Sequence, residues 1–291
     1  MRTTCAKWGW RCILAQYKVF PYGVVGQPVI SKRWRGHTAL AQLLPFVEQA
    51  GAATQIDWNA PLNDGVNEPA TSTQPPVFVC PSDSTYGRHL LTNFAQNPGW
   101  ARSNFAACFG SETMLADDHG ISIVIESDWT GVDLRTDGAF QIDAARSIAA
   151  FRDGVSQTIV ASEVLTGRDD SSLMPGDSDC DVRGVWSHFL MGASSYTHYN
   201  TPNSGSSDSL PTGGIGRNWC VDQPDQGLPC NLHASGSYDS FHAAARSRHP
   251  GGVQVLFGDG HLTFINDAVD HTLWKRLAAI ADGQVIDPSS L

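Results

Sequence analysis

The sequence predicts an α+β fold, with an N-terminal helix packed on an antiparallel sheet and a C-terminal β-hairpin followed by a helix. Three patterns support this prediction. They are an apolar helical period in the first fifth of the chain, short strand-like segments in the middle, and an alternating hairpin close to the C-terminus. A long irregular insertion is expected between the middle strands and the hairpin.

The first predicted helix covers residues 38–54. Its leucines and Val47 recur at helical spacing and form one apolar stripe, and Thr38 stands where a side-chain oxygen caps the first turn. Pro45 lacks a backbone N–H, so we expect it to kink the helix or to mark its restart.

Short strands are predicted at residues 77–80, 104–110 and 157–165, with a weaker one at 185–190. These segments are rich in β-branched and aromatic residues and are bounded by Pro, Gly and Asp, which is typical of strands between turns.

Residues 253–265 predict a tight β-hairpin, because two alternating apolar and polar halves flank a Gly-Asp-Gly turn at residues 258–260. Asn266 or Asp267 is predicted to cap a final helix that runs to about Ala281 with one apolar face.

We expect one globular domain at residues 20–291, with a variable insertion at about residues 167–236 that is dominated by Ser, Asp, Gly and Pro. Residues 1–19 form an atypical N-terminus. The longer stretch of residues 1–35 is basic, contains Trp8, Trp10 and Trp34, and follows no clear period. No apolar stretch in the sequence is long enough to span a membrane.

The acidic composition limits the classes of partner that the protein can bind. The chain of 291 residues has 19 Lys and Arg against 29 Asp and Glu, which gives a formal net charge of -10. This balance argues against nucleic acid and against anionic membrane surfaces as partners. Charged residues make up only 16% of the chain, as is typical of a loop-rich and strand-rich extracytoplasmic protein.

The 7 cysteines are odd in number and include no C-x-x-C pair, so a zinc ribbon or a thioredoxin-like site is unsupported. Cys220 and Cys230 flank a short loop that they could close as a disulfide. Two separate buried thiols are the alternative for this pair, and thiols are expected elsewhere.

Several segments resemble one known family. Nine residues separate His249 from the Asp259-Gly260 pair, and this spacing resembles the prepilin-type processing-associated H-x9-DG domain of pilin-like proteins. Further blocks resemble that family in the same order along the chain. These blocks lie at residues 20–23, 43–49, 78–83, 104–110 and 153–159 with the following Glu163.

The resemblance implies a pilin-like fold and a structural role, without enzymatic activity and without a cofactor. The protein would be the globular head of a subunit of a pilus-like or type II secretion pseudopilin system. Its partners would be other pilin-like subunits or secretion components. The full-length form would be extracytoplasmic and anchored in the inner membrane. Within the head, His249, Gly251, Gly252, Asp259 and Gly260 would shape the C-terminal hairpin.

The resemblance fails at the front of the chain, where the prepilin signal and the apolar helix of the family are absent. Read in a shifted frame, the codons of the first residues can spell a segment similar to the one that follows the membrane helix in this family. We therefore expect residues 1–19 to be a shifted-frame remnant of the pilin helix; a true soluble paralogue is the alternative.

Two cation sites can be considered. Pilin-like pseudopilins as a class bind calcium in a C-terminal loop, and Asp177, Asp179 and Asp181 offer alternating carboxylates that suit a hard cation. No EF-hand pattern is present, so solvated loop carboxylates are the simpler interpretation. His249 and Asp259 would serve as a metal or acid–base pair only if the chain folded back on itself, and a structural role in the turn is favoured.

Two other functions remain as alternatives. An extracytoplasmic module that binds glycans or proteins would expose Trp186 or Trp219 beside polar side chains. A metal-dependent hydrolase would bring His249, Asp259 and Glu163 within hydrogen-bond reach in one cleft. Glu163 is otherwise expected to be buried in an ion pair with an arginine of the preceding segment, Arg146 or Arg152.

Overall fold

A computed structural model describes most of the chain and confirms the α+β class. The described residues are 12–25, 36–62, 64–83, 100–113, 136–167, 181–210, 219–232, 241–284 and 286. Within them no helix combines the length and the apolar character needed to cross a bilayer.

The strands are short. In chain order they are β1 (Val24–Val25), β2 (His37–Thr38), β3 (Phe105–Cys108), β4 (Ile159–Glu163), β5 (Ser195–Tyr196), β6 (Asp208–Leu210), β7 (Cys230–Leu232), β8 (Gly252–Phe257) and β9 (Leu262–Asn266). The helices are α1, described over residues 12–17, α2 (Ala39–Leu43), α3 (Ala50–Ala53), α4 (Glu68–Thr71) and α5 (His271–Ala278).

The central sheet has five strands in the order β5-β3-β4-β8-β9. Its pairs are antiparallel except at one edge, where β5 runs parallel to β3. A register shift between Ile159 and Ala161 interrupts the β4–β8 pairing. Two smaller sheets pair β1 with β2 and β6 with β7.

Successive side chains of a strand point to opposite sides, and strands β4 and β8 have apolar side chains packed on both faces of the central sheet. On one face, Val160 and Leu256 pack in one apolar cluster with Leu40 of α2. On the other face, Val255 and other strand residues pack with Trp274 of α5. The sheet therefore lies between the N-terminal helices and the C-terminal helix.

The predicted helix at residues 38–54 is interrupted, as Pro45 suggested. The backbone N–H of Ala41 donates to the Thr38 hydroxyl at 3.1 Å, which caps α2. The chain then tightens into a 3₁₀ turn at Leu44–Phe46, and α3 begins at Ala50.

The C-terminal hairpin forms as predicted by β8 and β9, but the start of the last helix was predicted wrongly. Asp270, and not Asn266 or Asp267, is the cap: its carboxylate accepts from the backbone N–H of Leu273 at 2.9 Å. Asn266 instead bonds the N–H of Ala268 in the preceding turn at 2.8 Å, so the helix begins later than predicted.

Two predicted strands do not form. Pro75 has extended backbone, and Pro76 begins a 3₁₀ turn at Pro76–Phe78, where its fixed φ fits and it offers no N–H for a ladder. Residues 185–190 are mainly turns, and their part in sheet pairing is one isolated bridge between Val185 and Arg102.

The insertion expected at residues 167–236 is irregular but deeply packed where it is described. Trp186 is fully buried in the apolar cluster that contains the N-terminal helices, and β5 extends the central sheet. This segment therefore forms part of the hydrophobic core. At the front of the chain, residues 12–19 of the predicted N-terminal segment 1–19 are described, and 12–17 of these are helical.

Candidate functional site

Three side chains from distant parts of the sequence meet beside the central sheet. The ligand atoms of Cys80, Glu163 and His249 all lie within 4.8 Å of one another. His249 Nε2 is 3.1 Å from Glu163 Oε1 and 3.5 Å from Cys80 Sγ. We call these three residues the Cys-Glu-His cluster.

Each member is held by a different element. Cys80 follows the 3₁₀ turn at Pro76–Phe78, Glu163 is the last residue of β4, and His249 precedes the turn that leads into β8. Because β4 and β8 are neighbouring strands, Glu163 lies close to the start of β8, and its Oε2 accepts from the N–H of Gln254 at 2.8 Å.

A second polar network supports the cluster. Asp83 is buried, and its Oδ2 accepts from the side-chain amide of Asn104 at 2.6 Å and the Thr166 hydroxyl at 3.0 Å. The other Asn104 side-chain atom, Oδ1, accepts from the Cys80 N–H at 3.0 Å. Arg248, next to His249, places Nε 3.6 Å from Asp83 Oδ1. The cluster therefore sits on a fixed polar base.

The surroundings of the cluster disfavour the ionised forms of Glu163 and Cys80. Burial raises the pKa of Glu163, although the Gln254 N–H and nearby His249 counteract part of this effect. Burial also raises the pKa of Cys80, and the neighbouring carboxylate of Glu163 raises it further. Cys80 is therefore a neutral thiol near pH 7.

The predicted turn residues lie at the two ends of strand β8. Gly251 adopts a φ of 80° and Gly260 a φ of 90°, which glycine reaches without strain. Gly252 lies so close to β9 that an added Cβ would overlap the carbonyl oxygen of Ile265. Asp259 accepts from the backbone N–H of His261 at 2.9 Å in the hairpin turn.

The three residues named for a hydrolase do not all converge. Glu163 and His249 are in contact, but Asp259 instead pairs with the His261 ring at 2.7 Å in an exposed turn. The predicted ion pair of Glu163 with Arg146 or Arg152 was wrong, because Glu163 pairs with His249 instead.

The calcium candidates and the cysteine pair lie in the irregular segment. Asp177 and Asp179 fall outside the described residues. Asp181 is buried, and both of its carboxylate oxygens contact the Arg183 guanidinium. Cys220 and Cys230 are joined by a disulfide.

The two tryptophans named for a binding module are both buried. Trp186 is 0% exposed and Trp219 is 6% exposed. The Trp186 indole N–H donates to the carbonyl oxygen of Thr73 at 3.0 Å. Neither side chain offers a face on which a sugar could stack.

Sequence reasoning missed Cys80 as a functional candidate. Its signal was present in the Cys-Pro-Ser-Asp block at residues 80–83, which places a thiol and a carboxylate three residues apart at a turn. Cys80 and His249 are 169 positions apart, so no local pattern joins them.

Comparison with known proteins identifies a family. No curated protein and no solved structure shows significant similarity to this chain. The profile of the family described as "Protein of unknown function (DUF1559)" matches residues 14–272, and this family is associated with pilin-like, prepilin-type proteins. Because the match spans nearly all of the chain, including every member of the Cys-Glu-His cluster, the chain belongs to the DUF1559 family.

Proposed function

We propose that this chain is the globular head of a pilin-like surface protein of the H-x9-DG type. It acts as a structural or assembly subunit of a pilus-like or type II secretion pseudopilin system, and not as an enzyme. Its partners are other pilin-like subunits or secretion components.

One observation carries the proposal: sequence blocks that resemble the H-x9-DG family contact one another in the fold. Cys80 and Asp83 from one block, Asn104 from the next, and Glu163 and His249 from the last two share one polar network. Such mutual contacts are expected of residues whose common role is to build the head.

The disulfide supports an extracytoplasmic location. The bond between Cys220 and Cys230 closes a short loop beside β7. Disulfides persist in oxidising compartments and are rare in the reducing cytosol. The same compartment is required of a subunit that assembles at the cell surface.

The neutral thiol supports a role other than covalent catalysis. A catalytic cysteine needs a lowered pKa or a histidine that takes its proton, whereas burial and Glu163 raise the pKa of Cys80. Glu163 and Cys80 also face the same nitrogen of His249, so the ring does not link them through its two separate nitrogens.

The test is the location of the head in the cells that make it. An antibody raised against the chain is used on cytosolic, membrane and sheared surface fractions of cells with and without the prepilin peptidase. We expect the head in the membrane and surface fractions, and we expect it to leave the surface fraction when the peptidase is deleted. A cytosolic enzyme is followed in parallel as the control for lysis. If the head were found only in the cytosolic fraction, together with the control enzyme, in both strains, the proposal would be refuted.

A further inference from the structure

We propose that Cys80, Glu163 and His249 bind a divalent transition metal ion, with Zn²⁺ as the best match. The ligand atoms would be the Cys80 thiolate, one carboxylate oxygen of Glu163 and Nε2 of His249. This site goes beyond the structural role proposed above, which does not depend on it.

The spacing of the three atoms fits a tetrahedral ion. With Zn–S of about 2.3 Å and Zn–N or Zn–O of about 2.1 Å, tetrahedral angles place sulfur and nitrogen about 3.6 Å apart and nitrogen and oxygen about 3.4 Å apart. The corresponding distances here are 3.5 Å from Cys80 Sγ to His249 Nε2 and 3.1 Å from that nitrogen to Glu163 Oε1. The third pair, Cys80 Sγ and the carboxylate oxygen of Glu163, is no more than 4.8 Å apart.

The convergence on one nitrogen distinguishes a metal site from a catalytic triad. In a triad the imidazole contacts the nucleophile through one ring nitrogen and the acid through the other. In the Cys-Glu-His cluster the thiol and the carboxylate both face Nε2 of His249. The three ligand atoms thus lie within 4.8 Å of one another without being linked through both ring nitrogens, and this grouping suits a single cation.

The surroundings hold the donors in place. The Cys80 N–H is bonded to Asn104, and the second carboxylate oxygen of Glu163 is bonded to the Gln254 N–H, which leaves Oε1 for the ion. Outer contacts of this kind orient metal ligands and increase affinity. The exposed fractions are 33% for the His249 side chain and 2% for Glu163, so the ion can enter from the His249 side.

The charges balance when the ion is bound. A thiolate from Cys80 and a carboxylate from Glu163 together neutralise one divalent cation. Asp83 does not add to this sum, because its carboxylate faces Arg248 at 3.6 Å.

Binding displaces the thiol proton of Cys80 to solvent, so the affinity for the metal ion should rise with pH. A mixed sulfur, nitrogen and oxygen donor set favours Zn²⁺ over Ca²⁺ or Mg²⁺, which prefer oxygen ligands.

The experiment measures Zn²⁺ binding to the purified full chain after chelator treatment, by competition with a chromophoric chelator. We expect one equivalent of Zn²⁺ per chain. C80S and H249Q should each weaken binding by at least about 100-fold, since loss of an outer contact alone costs about 10- to 100-fold. E163Q tests the third ligand and keeps the shape of the side chain.

Matched controls come from residues of the same chemistry outside the cluster. Cys12 is an exposed free thiol, and His261 pairs with Asp259 in an exposed turn. C12S and H261Q should bind Zn²⁺ as the wild type does. Co²⁺ gives a second readout: a thiolate-to-cobalt charge-transfer absorption is expected in the wild type and H261Q but not in C80S.

Circular dichroism and thermal unfolding without metal show which variants fold. If C80S does not fold, H249Q and E163Q decide the outcome. Stoichiometric binding that persists in a folded H249Q, or a wild type that takes up no Zn²⁺ and shows no cobalt–thiolate absorption, would overturn the proposal. Neither result bears on the cellular location of the head, so the metal site and the structural role fail independently.

Discussion

Two histidines, His188 and His198, are buried in neutral form, and burial lowers the pKa of each to about 3. The His198 ring stacks on Trp274 with ring centroids 3.5 Å apart. Its Nδ1 lies 2.6 Å from the carbonyl oxygen of Trp274 and must donate to it. Its Nε2 then accepts from the Tyr196 hydroxyl at 3.1 Å. Both nitrogens of the neutral ring therefore have hydrogen-bond partners.

These buried rings predict that acid destabilises the fold. Below pH 6.5 the unfolded chain binds a proton at each histidine, whereas the folded chain does so only near pH 3. The free energy of unfolding therefore rises with pH across this window. Each ring should lower it by about 2 kcal/mol between pH 7 and pH 5. Urea unfolding at the two pH values measures the change.

The substitution H198Q separates this effect from general acid sensitivity. It removes one titrating ring, so the loss between pH 7 and pH 5 should shrink by about 2 kcal/mol, even though H198Q is less stable at pH 7. H271Q alters an exposed histidine on α5 and should keep the wild-type loss. Equal pH dependence in H198Q and the wild type would show that His198 is not responsible.

The residues that sequence reasoning could predict are those whose role is local. Gly260 and Gly251 were expected at turns, because backbone conformation there depends on neighbouring residues. The contact of His249 with Glu163 joins residues 86 positions apart, and the pairing of β4 with β8 creates it. The sequence pointed to arginines for Glu163, since charge complementarity alone does not specify which cation the fold brings near.

At the scale of elements, helix α5 depends on its cap. Asp270 accepts from the Leu273 N–H at 2.9 Å, and this bond satisfies one of the free donors of the first turn. We expect D270A to lower the free energy of unfolding by about 1 kcal/mol, because the alanine side chain cannot accept the hydrogen bond from the Leu273 N–H. Chemical denaturation at pH 7 checks the value.

D270N is the matched control, since asparagine caps helices about as well as aspartate does. It should retain most of the stability that D270A loses. If both variants lost the same amount, the charge of Asp270 and not its hydrogen bond would be the stabilising feature, and the assignment of the cap would be wrong.

The elements that were predicted correctly are those with strong local sequence signals. The hairpin of β8 and β9 has alternating side chains and a glycine-rich turn, and both strands formed. Residues 77–80 have the composition of a strand, but Pro76 begins a 3₁₀ turn that continues through Phe78 and takes up the first half of this segment. Strand propensity is a weak preference, whereas the fixed φ of proline is a steric constraint, so the constraint prevails.

At the scale of the whole molecule, buried ion pairs hold the irregular segment together, and one of them joins it to Arg246. Arg183 contacts Asp181 at 2.7 Å and Asp208 at 3.3 Å, and Asp208 also pairs with Arg246 at 2.9 Å. All four side chains are at most 3% exposed. Arg183 also donates to the carbonyl oxygen of Val221 at 2.7 Å. One guanidinium thus links three stretches of a segment with little regular structure.

This network explains why composition misrepresented the segment at residues 167–236. Its Ser, Asp and Gly content is typical of exposed loops. In the fold, however, these charged side chains are buried in ion pairs, and Asp208 meets Arg183 and Arg246 from two other stretches. Such pairings cannot be read from composition. Trp186 then packs with the N-terminal helices, and the segment becomes part of the core.

The network predicts a large loss of stability when Arg183 is neutralised. R183M keeps much of the side-chain volume but leaves Asp181 without an ion-pair partner among the described residues and removes one partner of Asp208. Breaking a buried pair in this way costs about 3–5 kcal/mol, because the remaining charge stays desolvated. K275M is the control: Lys275 pairs with Glu112 at 2.7 Å, but the two side chains are 27% and 57% exposed. A surface pair of that kind contributes about 0–1 kcal/mol.

Urea unfolding of both variants at pH 7 should show a loss of stability that is several times larger for R183M than for K275M. Equal small losses would mean that the irregular segment is held by its apolar contacts alone.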